Sequence, residues 1–427
     1  MPYQLAVTVR ASVPAARVAE VQELLREAGR KGTAGELFPF AEVESIHFAR
    51  VVLIPEAPGG TDAAMPASVV YMAEVDGPLE AHLRDLVRKA GDGLGRVFGL
   101  CDGYPAGGSP GSSERAQIAW LRSHGTSCAA YYVNTAGRGR QQIDQEARLR
   151  EAIEEFLDRN GPALAGASPA GVRAAIQEHV KGRADLAWAR ARPAPPPLGW
   201  RVRQAVHLVG VPLAALALLP LLVAALPVWA VLLRLHERRD VPDPARPSHD
   251  HVRELADCED FVAQNPFTAV GSVKAGRFRR ATLTAVLFVV DYGVRHVFNR
   301  GNLAGVRTIH FARWVFIDGR RRMIFASNYD GSLESYMDDF IDKVAWGLNA
   351  VFSNGQGYPR VRWLVLDGAK DELAFKNYLR CHQVPTQVWY SAYDTWTLRD
   401  LNTNARIRAG LFGPLGPAET EAWLALL

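Results

Sequence analysis

The sequence predicts an α+β protein built from two tandem βαββαβ repeats, with an apolar, membrane-associated helical segment inserted between them. Three observations carry this reading. The pentapeptide IHFAR occurs twice, at residues 46–50 and 309–313. Further matches follow both copies in the same order. Leu208 to Leu233 forms a run of 26 residues without a charged side chain.

The collinear matches establish a duplication, because chance does not preserve order. After IHFAR, "EVDGPLEAHLRDLV" at 74–87 corresponds to "NYDGSLESYMDDFI" at 328–341. Gly103-Tyr104-Pro105 then pairs with Gly357-Tyr358-Pro359, "WLRSH" at 120–124 with "YLRCH" at 378–382, and "EARLR" at 146–150 with "NARIR" at 404–408. Domain boundaries follow: repeat 1 over 1–160, Pro-rich linkers around the apolar segment over 161–260, and repeat 2 over 261–427.

Each element has a local reason. "YQLAVTVRAS" alternates as a strand, and "AARVAEVQELLREAG" places apolar residues at helical spacing. "SIHFARVVLI" and "ASVVYMAEV" read as strands, and the Asp-Gly turn after the second leads into the helix "PLEAHLRDLVRKAGDGL" with Pro near its start. A helix ending at "WLRSH" and the strand "SCAAYYVN" complete the unit. Repeat 2 gives the same order with "FTAVGSVKAG", "RRATLTAVLFVVDYGVRHVF", "TIHFARWVFID", "RRMIFASN", "LESYMDDFIDKVAWGLNAVF" and "TQVWYSAY". This is the ferredoxin-like plan, and two such sheets in one chain most simply pack face to face.

A net charge of +4 and a pI of 8.9 come from scattered Arg, which argues against nucleic acid as a partner. Four cysteines far apart, without a CxxC pair, point to a reduced compartment. The opening "MPYQLAVTVRAS" predicts no secretory leader. Soluble helices rarely match the Leu208–Leu233 run. Arg190, Arg192, Arg201 and Arg203 precede it, and Arg234, Arg238 and Arg239 follow it, so both flanks prefer the cytoplasm. Pro212, Pro220 and Pro227 divide the run, and the expectation is a bent hairpin in one leaflet with both repeats on the cytoplasmic side. The alternatives are a single tilted, kinked span and a buried soluble helix.

The order of elements in both repeats resembles the dimeric α+β barrel superfamily, in which two ferredoxin-like units pair their sheets, as in chlorite dismutases and dye-decolorizing peroxidases. The resemblance implies an intrachain α+β barrel and a peroxidase-like or other oxidoreductase reaction, with haem as the candidate cofactor. Dye-decolorizing peroxidases carry a GxxDG motif whose Asp works beside haem. Here "SNYDG" at 327–331 and "AEVDG" at 73–77 keep only the Asp-Gly, with Ser327 and Ala73 in place of the first Gly. A turn before a helix explains that remnant without haem.

The candidate site lies in repeat 2, where the copies diverge and aromatics concentrate. His310, Arg313, Asp330 and Tyr336 are the candidate catalytic residues, and Asn328, Tyr329 and Trp314 the candidate ligand-binding residues. Strict alternation would put Ile309, Phe311 and Arg313 on one face and His310, Ala312 and Trp314 on the other. The competing reading makes His310 a buried core histidine matched by His47, because duplicated packing outlasts duplicated active sites. No metal site is expected. Asp338, Asp339 and Asp342 read as a solvated helix face, and His249, His251, Glu254 and Asp257 as a capped helix. His382 ends a helix, where capping is a simpler role than haem ligation. There is no P-loop, no GxGxxG after a strand and no GxSxG nucleophile elbow.

The functional expectation is a membrane-associated barrel protein that acts on or binds an apolar or lipid-like small molecule, as an oxidoreductase. The alternative is a non-enzymatic, lipid-associated binding or scaffold module.

Overall fold

Every strand predicted from alternation forms, and the two IHFAR segments lie at the start of equivalent central strands. The computed structural model describes residues 3–30, 35, 37–58, 64–105, 112–191, 195–299 and 301–427. Arg192, one of the basic residues flanking the apolar run, lies outside the described residues. In chain order the elements are β1 (Gln4–Ser12), α1 (Val18–Arg30), β2 (Ile46–Ile54), β3 (Ser68–Asp76), α2 (Leu79–Phe98), α3 (Ser112–Ser123) and β4 (Ala130–Val133). Then follow α4 (Arg140–Leu164), α5 (Pro169–Gly182), α6 (Leu198–Ala217), α7 (Leu219–Arg239) and α8 (His249–Ala256). The second copy comprises β5 (Gln264–Ser272), α9 (Arg277–His296), β6 (Ile309–Ile317), β7 (Arg322–Asp330), α10 (Leu333–Phe352), β8 (Val361–Arg362), β9 (Leu366–Asp367), α11 (Glu372–His382) and β10 (Val388–Ser391). Helices α12 (Leu398–Leu411) and α13 (Pro417–Leu424) end the chain.

The main strands form two four-stranded antiparallel sheets, in the orders β1-β3-β2-β10 and β4-β6-β7-β5. The last strand of each repeat therefore completes the sheet of the other. This corrects the expectation that "SCAAYYVN" closes its own unit. Before crossing, the segment ahead of β4 touches its own β1, where Thr126 N donates to Thr8 O and Arg10 N to His124 O. The segment ahead of β10 does likewise with β5, Val384 N donating to Thr268 O.

Apolar side chains sort into layers. One outer core joins the first sheet to α1 and α2 through Val21, Leu25, Val51, Leu83, Leu86 and Leu94. Its counterpart joins the second sheet to α9, α10 and α11 through Leu283, Leu287, Phe325, Phe340 and Phe375. Between the sheets, Val52, Ile54, Val70 and Met72 meet Val315, Ile317, Ile324 and Ala326. Helices α4, α5, α12 and α13 build a further core around Leu149, Ile153, Ile176, Ile407 and Trp423. There the paired "EARLR" and "NARIR" segments meet, with the buried Glu146 accepting from Arg408 of the other copy.

The apolar run departs from the hairpin expectation. Leu218, between α6 and α7, keeps a right-handed helical backbone, its N–H donates to Ala214 O, and its O accepts from Leu222 N. The chain thus runs on without reversing, and 26 helical residues extend about 39 Å. Proline does not enforce a reversal because a freed carbonyl can find another donor. Pro212 has no N–H for Leu208 O, and Tyr292 of α9 donates its hydroxyl there at 3.0 Å. Leu219–Arg239 is by itself long and apolar enough to cross a membrane, and it is almost wholly exposed.

Candidate functional site

The geometry of IHFAR begins with a bulge. Register shifts between Ile46 and Phe48 in β2 and between Ile309 and Phe311 in β6, so each histidine is the extra residue of its strand. The alternation predicted for β6 accordingly fails at its start. Ile309 packs on the helix side with Ala312 and Trp314, while Phe311 faces the other sheet, in the cluster that includes Phe48.

Freed from the ladder pattern, each histidine turns to the aspartate of its own Asp-Gly. His310 Nε2 lies 2.6 Å from Asp330 Oδ1, and His47 Nε2 lies 3.0 Å from Asp76 Oδ1. The second carboxylate oxygen receives a helix N-terminus in both copies: Leu398 N donates to Asp330 Oδ2 and Arg140 N to Asp76 Oδ2, each at 2.8 Å. An anion at that position is favoured by the helix dipole. His47 also bonds Tyr393 through Nδ1. Both imidazoles are buried. A histidine-carboxylate pair is an acid-base arrangement in principle, yet here it ties a strand bulge to a helix start in duplicate.

The arginines of IHFAR cross between the copies. Arg50 donates to Phe267 O, Thr268 Oγ1, Ser327 O and Asn328 Oδ1. Arg313 donates to Val7 O, Thr8 Oγ1, Ala73 O and Glu74 Oε1. The two sets correspond position by position, and the one acceptor group that differs is the Glu74 carboxylate in one and the Asn328 amide in the other. Asn328 Nδ2 closes the network by donating to Glu74 Oε2 at 3.2 Å. Two buried guanidiniums therefore share one carboxylate. Burial pushes the Arg50 guanidinium down to about 10, still protonated at neutral pH. Burial also works against the Arg313 charge, but the Glu74 carboxylate beside it, with Cys128 and Tyr131, holds it above its ordinary value.

The remaining candidates stand elsewhere. Tyr329 and Tyr336 stack at 3.9 Å on the helix side of β7, and Tyr336 bonds Ser327 Oγ at 2.6 Å. Burial pushes the Tyr336 phenol far up, so it stays protonated. Trp314 lies beside Phe325 at 5.1 Å on the same side. The structure thus brings His310 to Asp330, Arg313 to the Asn328 network, and Tyr329 to Tyr336, but not all seven residues to one pocket. Arg50, Glu74 and Tyr393 complete these networks and lie outside the seven candidates. The signal was present, since an arginine inside the apolar strand "IHFARVVLI" needs a buried partner.

Three hollows accompany the sheets. One of about 20 Å³ lies under α11 beside Gly271, Phe325, Tyr378 and His382, with room for about one water. Haem does not fit there, and His382 Nδ1 bonds Tyr378 O as a helix-end histidine. Two open clefts of about 390 and 550 Å³ flank the crossing segments, one at Val384 and Pro385, the other at Thr126 to Ala129. None of the three is lined by the seven candidate residues. Among the described residues no three His, Cys, Asp or Glu side chains gather as a metal site. Asp339 pairs with Lys343, and Ser248 caps α8.

We expect His47→Ala and His310→Ala to destabilise the fold similarly, by about 1–3 kcal/mol each, because each removes a buried imidazole and takes a hydrogen bond from a largely shielded carboxylate. Thermal melts of the two variants measure this. A loss confined to one copy would indicate that the pairs do different work.

No family model, curated protein or solved structure matches this chain.

Proposed function

We propose that this protein is a membrane-associated module whose α+β body rests on one face of a bilayer, where it binds or presents a lipid-like molecule without catalysing its conversion. The observation that carries the reading is the exposed apolar helix. Leu213, Leu216, Leu221, Leu222, Val223 and Leu226, along α6 and α7, are all about half exposed or more. Water does not favour such a surface, and a bilayer does.

One-sided placement follows from connectivity. Sheets that exchange strands cannot be parted by a membrane. Both ends of the apolar run also return to the same helix: His207 bonds His296, and Trp229 Nε1 donates to Thr282 Oγ1. The helix then embeds its outer surface from the side, and the basic flanks favour the cytoplasmic leaflet. Support for a barrel of the dimeric α+β kind comes from the exchanged strands and the two crossing segments that touch both sheets. Fold alone assigns no reaction. The non-catalytic reading gains over the oxidoreductase because the candidate residues lie in separate buried settings, His310 bonded to Asp330, Arg313 to Glu74 and Tyr336 to Ser327, away from the open clefts.

Replacing Leu213, Leu216, Leu221, Val223 and Leu226 together by Gln tests this. The expected result is an unchanged melting temperature with partition into liposomes reduced by about a hundredfold or more, given roughly 0.8 kcal/mol per buried methylene. Equal flotation of the variant and the parent would remove the basis of the reading.

A further inference from the structure

The hairpin β8–β9 carries a backbone that its sequence does not favour. Trp363 and Leu364 have φ of 54° and 67°, and neither is glycine. Bulky residues adopt this left-handed region only when the surroundings impose it, and such positions cluster where a side chain must be presented. What imposes it is a carboxylate from the apolar helix. Glu237 of α7 is buried, and it accepts from Trp363 N at 3.1 Å and Leu364 N at 2.7 Å. Arg234, one turn earlier, pairs with the same carboxylate and holds its guanidinium 5.2 Å from the Trp363 ring centroid. Across the turn, Arg362 Nε donates to Asp367 Oδ2 and ties the hairpin shut.

The consequence is an outward tryptophan. Trp363 is 51 % exposed and Leu366 43 %, while Leu364 points inward at 7 %. Beside them, Val228, Val231, Leu232 and Leu235 of α7 are exposed, and Arg238 and Arg239 follow. Within the fold the only return for this strained, half-exposed indole among the described contacts is the Arg234 guanidinium over its ring. At the boundary between headgroups and acyl chains, an indole gains both apolar contact and a hydrogen-bonding neighbour for its N–H.

From these contacts we propose that the Trp363 turn is a second membrane-contacting element, an interfacial anchor that fixes where the α7 end of the apolar helix sits in the headgroup layer. The occupant is a lipid surface, because the turn is held by Glu237 and Arg234 against α7, the helix whose apolar side chains are exposed, and Arg238 and Arg239 just beyond suit anionic headgroups. Glu237 acts as the positioning residue: it couples the helix to the turn, so that both enter together. The inference rests on the membrane reading above.

The test uses the full chain with vesicles of phosphatidylcholine and phosphatidylglycerol, comparing the parent with Trp363→Asn and Trp363→Tyr. Asparagine tolerates the left-handed backbone, so Trp363→Asn should melt at or above the parent temperature. Its partition into vesicles should fall by roughly thirtyfold or more, as expected when about half of an indole surface loses its apolar contact. Trp363→Tyr should recover most of that loss. A merely structural tryptophan would show the opposite: lower stability and unchanged partition. If the parent floats with vesicles and Trp363→Asn floats equally, the anchor is refuted while the membrane reading stands. If the parent itself does not float, both are refuted.

Discussion

Residues 1–160 expressed alone are expected to aggregate, and to become soluble only when residues 261–427 are produced with them. In the intact chain the open edge of β2 is covered by β10, with Val51 opposite Val388 and Ala49 opposite Tyr390. Without the second copy that edge is free, and β4 has lost the strand it pairs with, since Ala130 to Val133 align only with Phe311 to Trp314. Val52, Ile54, Val70 and Met72 would face water in place of the second sheet. An exposed flat edge beside an apolar face is the usual origin of aggregation. Co-expression restores both missing strands. The measurement is the yield of a soluble one-to-one complex against either piece alone. A soluble repeat 1 with a cooperative melt would mean that the strand exchange is dispensable.

That exchange also marks how far the sequence was legible. The duplication, the βαββαβ order within each repeat, and the two-sheet α+β class could be read from collinear matches and periodicity, whereas helices α4, α5, α12 and α13 and the β8–β9 hairpin were not. The destination of "SCAAYYVN" and "TQVWYSAY" could not, because a strand's alternation is the same whichever sheet it joins. His310 shows a second limit. Period-two reasoning assigns it a face, but one bulge slips the first residue of the strand and sends the imidazole to Asp330 instead. The apolar run shows a third. Pro212 argues for a break when only the chain is considered, while the structure supplies Tyr292 from another helix as the missing donor. In each case the deciding contact is distant in sequence. The same holds for Trp363, whose conformation depends on Glu237, a residue 126 positions away.

Glu74→Ala should be among the most damaging single substitutions in the body of the protein. It removes the carboxylate that serves Arg313 and Asn328, and leaves two guanidiniums inside a region where none of the three side chains exceeds 2 % exposure. Breaking a buried pair by deleting one partner typically costs about 3–5 kcal/mol, because the surviving charge keeps its desolvation penalty. Asn328→Ala should cost less, about 1–3 kcal/mol, since Arg50 retains Phe267 O, Thr268 Oγ1 and Ser327 O. Urea titrations of the two variants give the comparison. A further arm separates charge from packing: Arg313→Met combined with Glu74→Leu removes both partners and should destabilise less than Glu74→Ala alone. The inequality follows from the shared carboxylate. If Glu74→Ala costs under about 1 kcal/mol, the guanidiniums have reached water, and the space between the sheets is not the closed polar core that the hydrogen bonds describe.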